Sequence, residues 1–187
     1  MVAFPYGPDP AHVDDGPFCP TADVSPLARY GVRNVQESAG LLPYRWHEGR
    51  LQVFLVHSDG RYWERKLGGT WQIANGPPLP GESLLNTALR ELEDEVGMRP
   101  TAIPWPLASI PQKGGKWVKA FAVEAELEPA NLVSNMFELE WPPCSRTVQS
   151  LPEIERANWF TLEEARAKML TSQMPLLLAL EQAVPAR

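Results

Sequence analysis

Residues Gly76–Met98 read GPPLPGESLLNTALRELEDEVGM, and the rest of the chain is interpreted outward from them. Gly76 to Gly81 must be a loop, because Pro77, Pro78 and Pro80 among glycines suit neither a helix interior nor a central strand. From Ser83 the spacing changes. Leu84, Leu85, Ala88, Leu89, Leu92 and Val96 fall on one side of a helix, which predicts a helix over 83–96. Ser83 or Glu82 caps its start, and Gly97 stops it.

The opposite face of that helix is acidic. Glu91, Asp94 and Glu95 stand at i, i+3 and i+4 and share one patch, whereas Glu93, roughly 100° from each neighbour, points elsewhere. Like charges at this spacing repel by a few tenths of a kcal/mol per pair. They also lie near the negative end of the helix dipole. A cation would offset both costs, and clustered hard oxygen ligands suit Mg²⁺ or Mn²⁺. Arg90 can orient a carboxylate by a bidentate contact, and Glu82 can approach the patch from the preceding turn. The carboxylates alone leave open a plainer reading, a solvated acidic face.

The whole stretch resembles the Nudix box, G-x5-E-x7-R-E-U-x-E-E-x-G-U, with U a bulky aliphatic residue. Gly76, Glu82, Arg90, Glu91, Leu92, Glu95, Gly97 and Met98 match. Asp94 replaces the first glutamate of the pair, one methylene shorter with the same charge. The resemblance implies an α/β fold, the Nudix-type α/β/α sandwich with a mixed β-sheet. It implies Mg²⁺- or Mn²⁺-dependent hydrolysis of the pyrophosphate in a nucleoside diphosphate linked to another group, X. Glu91, Asp94, Glu95 and Glu82 are then the expected metal ligands. Glu95 and Glu91 serve catalysis, with Arg90 positioning a carboxylate. Many Nudix proteins have a W-x-x-P-K-G lead-in; here Ala74 and Asn75 replace the proline and lysine, removing a positive group beside the phosphate site.

Upstream, Leu51–His57 (LQVFLVH) reads as a strand buried on both faces, with Ser38–Trp46 as its hairpin partner across His47-Glu48-Gly49-Arg50. His57 has no second histidine at ligand spacing and reads as structural. Ser58–Thr70 is a polar loop in which Arg61, Tyr62, Trp63, Arg65 and Lys66 interleave charge with aromatic rings; Arg65 is a substrate-binding candidate. Residues 1–36 form a Pro-rich tail, expected to be extended or disordered, ahead of a Nudix domain over 37–187.

Downstream, Trp105–Gln112 and Lys116–Leu127 read as an antiparallel pair around Lys113-Gly114-Gly115. Lys116 is a candidate for holding phosphate. The FELEWPP segment containing Phe137, the Gly114-Gly115-Lys116 turn and the PEIERANWF segment resemble a bacterial Nudix subgroup of predicted NTP pyrophosphohydrolases. Phe137 is a further substrate-binding candidate. Nudix hydrolases often take an extra ligand or general base from outside the box; Glu153 is the candidate here, with Glu155 in reserve and Glu138 or Glu140 third. Thr161-x-x-Glu164 is a capping box, Leu162, Ala165, Met169 and Leu170 make a helical stripe, and Met174–Ala183 is a last helix with Pro175 in its first turn.

The chain has 187 residues and a net charge of −6, enough length for a core without disulfides. The acidic balance argues against a DNA or RNA polymer partner but not against a nucleotide substrate. No segment is apolar and long enough to span a membrane. Cys19 and Cys144 have no metal-ligand or redox spacing, so the simplest setting is reduced and cytoplasmic. Dimers are frequent in the family, so a homodimer is an expected state. The alternative function is a non-catalytic Nudix-fold nucleotide sensor.

Overall fold

The computed structural model describes residues 36–58, 71–140 and 145–185. The expectations for the Pro-rich tail, for Arg61 to Lys66 including Arg65, and for Cys19 and Cys144 lie outside these residues.

Strand β1 (Glu37–His47) and β2 (Arg50–Ser58) form the predicted hairpin, in register from Tyr44↔Val53 to His47↔Arg50. Glu48 and Gly49 both take positive φ, 50° and 72°, which suits a tight two-residue turn to the twist of its strands. Beyond Tyr44 the two strands part. The residues leading to the box fill the gap: Gln72 and Val56 exchange backbone hydrogen bonds, and β3 (Ala74–Gly76) pairs antiparallel with Ala39–Leu41. On its other edge β1 runs parallel to β5 (Trp117–Glu124). Strand β4 (Trp105–Pro111) extends the sheet beyond β5, and β8 (Ile154–Thr161) extends it beyond β2. The sheet order is therefore β4-β5-β1-β2-β8, with β3 beside β1. Strands β6 (Met136–Glu140) and β7 (Val148–Pro152) pair separately.

Side chains alternate across this mixed sheet with period two, so each face has its own core. Ala39, Leu41, Phe54, Val56, Phe121 and Val123 bury one face against Ala88, Leu92 and Val96 of helix α1 (Leu84–Val96). Leu42, Tyr44, Val53, Leu55, Val118, Ala120 and Ala122 bury the other. There they meet helix α2 (Leu162–Lys168) and Leu176, Leu177 and Leu180 of α3 (Met174–Ala183). Each fully buried leucine contributes roughly 1.5–3 kcal/mol relative to exposure. This is the α/β/α sandwich expected from the box.

Helix ends follow local chemistry. Ser83 Oγ accepts the Asn86 N–H at 3.3 Å, and Gly97 at φ 72° returns its N–H to Glu93 O at 2.8 Å. Thr161 and Glu164 form the capping box. Helix α2 ends at Lys168, so Met169 and Leu170 lie past the helix, although Met169 stays buried in the same core as Ala165. Their segment pairs instead with the lead-in: Trp71 N donates to Lys168 O and Leu170 N to Trp71 O. Buried Gln173 adds a third tie, accepting the Ile73 N–H at 3.0 Å. The lead-in to the box is thus fixed from both sides, by β1 and by the α2–α3 connection.

Candidate active site

The loop Pro77–Gly81 folds back over the first turns of α1, and Arg90 links the two. Its Nε and Nη2 donate to the two oxygens of Glu82, each at 3.0 Å. Nη2 also reaches Pro77 O at 3.1 Å, while Nη1 reaches Glu91 Oε1 at 2.8 Å and Asp94 Oδ2 at 3.2 Å. The bidentate contact expected of Arg90 is therefore to Glu82. Leu79 N–H and Thr87 Oγ1 donate to the same Glu82 carboxylate at 2.9 and 3.0 Å. These hydrogen bonds, Arg90's first, hold the Glu82 carboxyl down to about 2, so it is an anion throughout the physiological range.

Glu91 lies flat against Gly76. A Cβ on Gly76 would fall inside the Glu91 carboxyl group, well under the 3.0 Å at which a neighbour must shift. Burial raises the Glu91 carboxyl, and Glu153 and Asp94 push the same way, against the opposing pull of Arg90. One turn on, Glu95 is 5% exposed. Its Oε1 accepts the Asn75 N–H at 3.3 Å, and its Oε2 is buried with no hydrogen-bond partner among the described residues. Burial pushes this carboxyl well up, followed by repulsion from Glu153 and then Glu91; Asn75 N–H and Lys116 act against them. Lys116, half-buried, is itself pushed down by desolvation and held up by Glu91 and Glu95.

The box and the residue leading into β5 thus bring their charged groups to one acidic site. Glu82, Arg90, Glu91 and Asp94 meet through the guanidinium, while Glu95 sits deeper, under β3. Glu153, between β7 and β8, is exposed but close enough to repel Glu91 and Glu95. Asp94 is half-exposed and turned to Arg90, so the three box carboxylates do not converge on a single point. Among the described residues no three His, Cys, Asp or Glu side chains form a metal-sized cluster. The donor set nevertheless fits a hard divalent ion: Glu95 carries, beside Glu91, a buried carboxylate oxygen with no hydrogen-bond partner among the described residues. Phe137 lies on β6, in the separate two-stranded sheet, and Glu155 stands 4.0 Å from His57.

Two contributors escape a reading of side-chain types. Thr87 interrupts the polar and apolar alternation of α1 without any motif, yet is fully buried against Glu82. Asn75 replaces a lysine, but its backbone N–H holds Glu95 and its amide clamps Ile73 O at 2.9 Å. A backbone donor leaves no signature in the residue identity.

The family model of the NUDIX domain matches residues 36–180. No curated protein matches the chain. Among solved structures, a C. elegans Ap4A hydrolase complex is similar at 19% identity and TM-score 0.55, covering 78% of this chain and 96% of its own. The NUDIX domain of Shewanella oneidensis NrtR, complexed with ADP ribose, is similar at 15% identity and TM-score 0.57, covering 88% and 100%. A mutT/nudix family protein from Listeria innocua reaches TM-score 0.52 at 18% identity, covering 79% and 92%. At these identities the likenesses speak for the fold, and the box for the family. With the Nudix-box residues gathered under one sheet, and a family match across most of its length, the chain belongs to the Nudix family.

Proposed function

We propose that this protein is a Mg²⁺- or Mn²⁺-dependent pyrophosphohydrolase acting on a nucleoside diphosphate linked to X, an NTP or a dinucleoside polyphosphate. The observation that carries the reading is Glu95: a carboxylate buried beside two others, with one oxygen unpartnered. Such a group is costly in a protein that does not recruit a cation. Glu91 and Glu95 would hold the ion from α1. Asp94 would join them by leaving Arg90, and Glu82 would support the set through its hydrogen bonds. The chemistry a bound divalent ion supplies is neutralisation of phosphate charge and acidification of water.

The chain's own groups supply the rest. Arg90 keeps Glu82, Glu91 and Asp94 in place around the loop, a positioning role. Lys116 brings a cation to the same pocket from β5's approach, where it can meet a phosphate oxygen. It stands in for the lysine that Asn75 replaces. Glu153, exposed and close enough to repel the buried carboxylates, would take a proton from an attacking water. A bound divalent ion would favour the ionised carboxyls of Glu91 and Glu95, against the burial that pushes both up.

The test is turnover of nucleoside triphosphates, dinucleoside polyphosphates and ADP-ribose with Mg²⁺ or Mn²⁺ and with chelator. Metal-dependent cleavage, lost in Glu95→Gln with the fold intact, supports the reading. Unchanged turnover in Glu95→Gln would remove it. A second reading, a nucleotide-binding module without turnover, is favoured by Asp94's engagement with Arg90 and by the likeness to NrtR's NUDIX domain. Nucleotide binding without any metal-dependent cleavage would select it.

A further inference from the structure

A cleft of about 310 Å³ opens on the α1 face of the sheet, lined by Glu37, Ser38, Leu84, Ser109, Trp117 and Lys119. Its position relative to the acidic pocket follows from strand register. Ser109 pairs with Lys119, Lys119 with Ala39, and Ala39 with Gly76. Strands lie about 4.8 Å apart, which puts the Lys119 backbone about 10 Å from Gly76, where the Glu91 carboxylate rests. Ala39 packs towards α1, so its row partner Lys119, and Trp117 and Glu37 two residues along, share that face. Lys116, which interacts with Glu91 and Glu95, precedes Trp117 directly. Cleft and acidic pocket are therefore neighbours on one surface, with a lysine between them.

The lining has a definite chemistry. Trp117, the first residue of β5, is a large indole left 43% exposed. Glu37 and Lys119 put an acceptor and a donor beside it, and Leu84 faces them from the start of α1. A flat ring stacked on an indole, with a polar edge read by one carboxylate and one ammonium, is the way proteins hold a base. The volume is at the low end of small-ligand sites, roughly 300–1,000 Å³, which suits a base with its sugar more than a second nucleotide. The spacing to Gly76 suits a base whose phosphate chain extends over Lys116 to the carboxylates.

We infer that this cleft is the base-binding subsite and that Trp117 is its stacking platform. The inference rests on the nucleotide reading above. Glu37 offers an acceptor and Lys119 a donor to the base edge, a pair met by an amino group beside a ring nitrogen and equally by a ring N–H beside a carbonyl, so the stack on Trp117 carries the affinity for the base.

Calorimetric titration of AMP, GMP, UMP and ribose 5-phosphate into wild type, Trp117→Ala and Trp117→Phe tests it, in chelator and again with Mg²⁺. AMP and GMP affinity should fall on the order of tenfold in Trp117→Ala, the scale of one base–aromatic stack, and be largely kept in Trp117→Phe. Ribose 5-phosphate should bind all three alike, and UMP should lose affinity in Trp117→Ala as the purine nucleotides do. Wild-type affinity for AMP and GMP in Trp117→Ala, or no binding of either by wild type, overturns the inference. Because the readout is binding, a protein without turnover would still show the contrast, whereas a working hydrolase without the contrast would refute the subsite alone.

Discussion

Gly76→Ala separates the geometry of the acidic pocket from the stability of the fold. Gly76 does not occupy the left-handed region, so alanine's backbone is unstrained there. The new methyl would instead occupy the space of the Glu91 carboxyl, where ordinary contact begins only at 3.4 Å. Glu91 must retreat by about 1 Å, a displacement of a catalytic group that can cost about 100-fold in rate, or roughly 2.7 kcal/mol of barrier. The obstacle is the end of a flexible side chain, so overpacking should cost only about 1 kcal/mol of stability. For a chain of this size that lowers the unfolding midpoint by about 2–4 °C. The assay is thermal unfolding beside metal-dependent hydrolysis of the best substrate. Full activity in a folded Gly76→Ala protein would refute the placement of Glu91 at the reaction, and collapse of the fold would refute the claim that only Glu91 moves.

Gly97→Ala should do the reverse. At φ 72°, with its Cβ 2.9 Å from Val133 Cβ, it should lose about 1–2 kcal/mol of stability and keep its turnover, read by denaturant melts and activity. Glu95 has a carboxyl raised above its ordinary 4.5, so the stability it adds is present below that value and lost as pH rises through the folded value. Without metal, the midpoint of wild type should therefore fall more between pH 5 and 8 than that of Glu95→Gln, and parallel curves would sink the argument. Arg90→Lys keeps the charge but cannot grip both Glu82 oxygens while reaching Glu91 and Asp94. A tenfold or larger fall in kcat, rescued little by added Mg²⁺, is expected from steady-state kinetics; wild-type kcat would show that any cation suffices.

Most of the architecture was legible in residue order, because each strand and helix is bounded by local chemistry. The period-two alternation of Val118, Ala120 and Ala122 against Phe121 and Val123 assigns both faces of β5. Ser83, Gly97, Thr161 and Glu164 mark their helix ends by capping. The stripe through Met169 and Leu170 misled, since apolar spacing continues where the backbone has already turned to pair with Trp71. Within the pocket, the i, i+3, i+4 carboxylates announce an acidic face, but not which of them is buried.

The family, the helix that bears the carboxylates and the two-faced sheet follow from short-range spacing and propensity, which residue order alone supplies. Chain folding was needed to show that β1 is shared by β2, β3 and β5, that Glu95 lies under Asn75 with an oxygen unpartnered among the described residues, and that Lys116 and Trp117 arrive beside the box at the start of β5. Burial and long-range strand register set the charge and reach of those groups, and both arise from contacts between residues far apart in the chain.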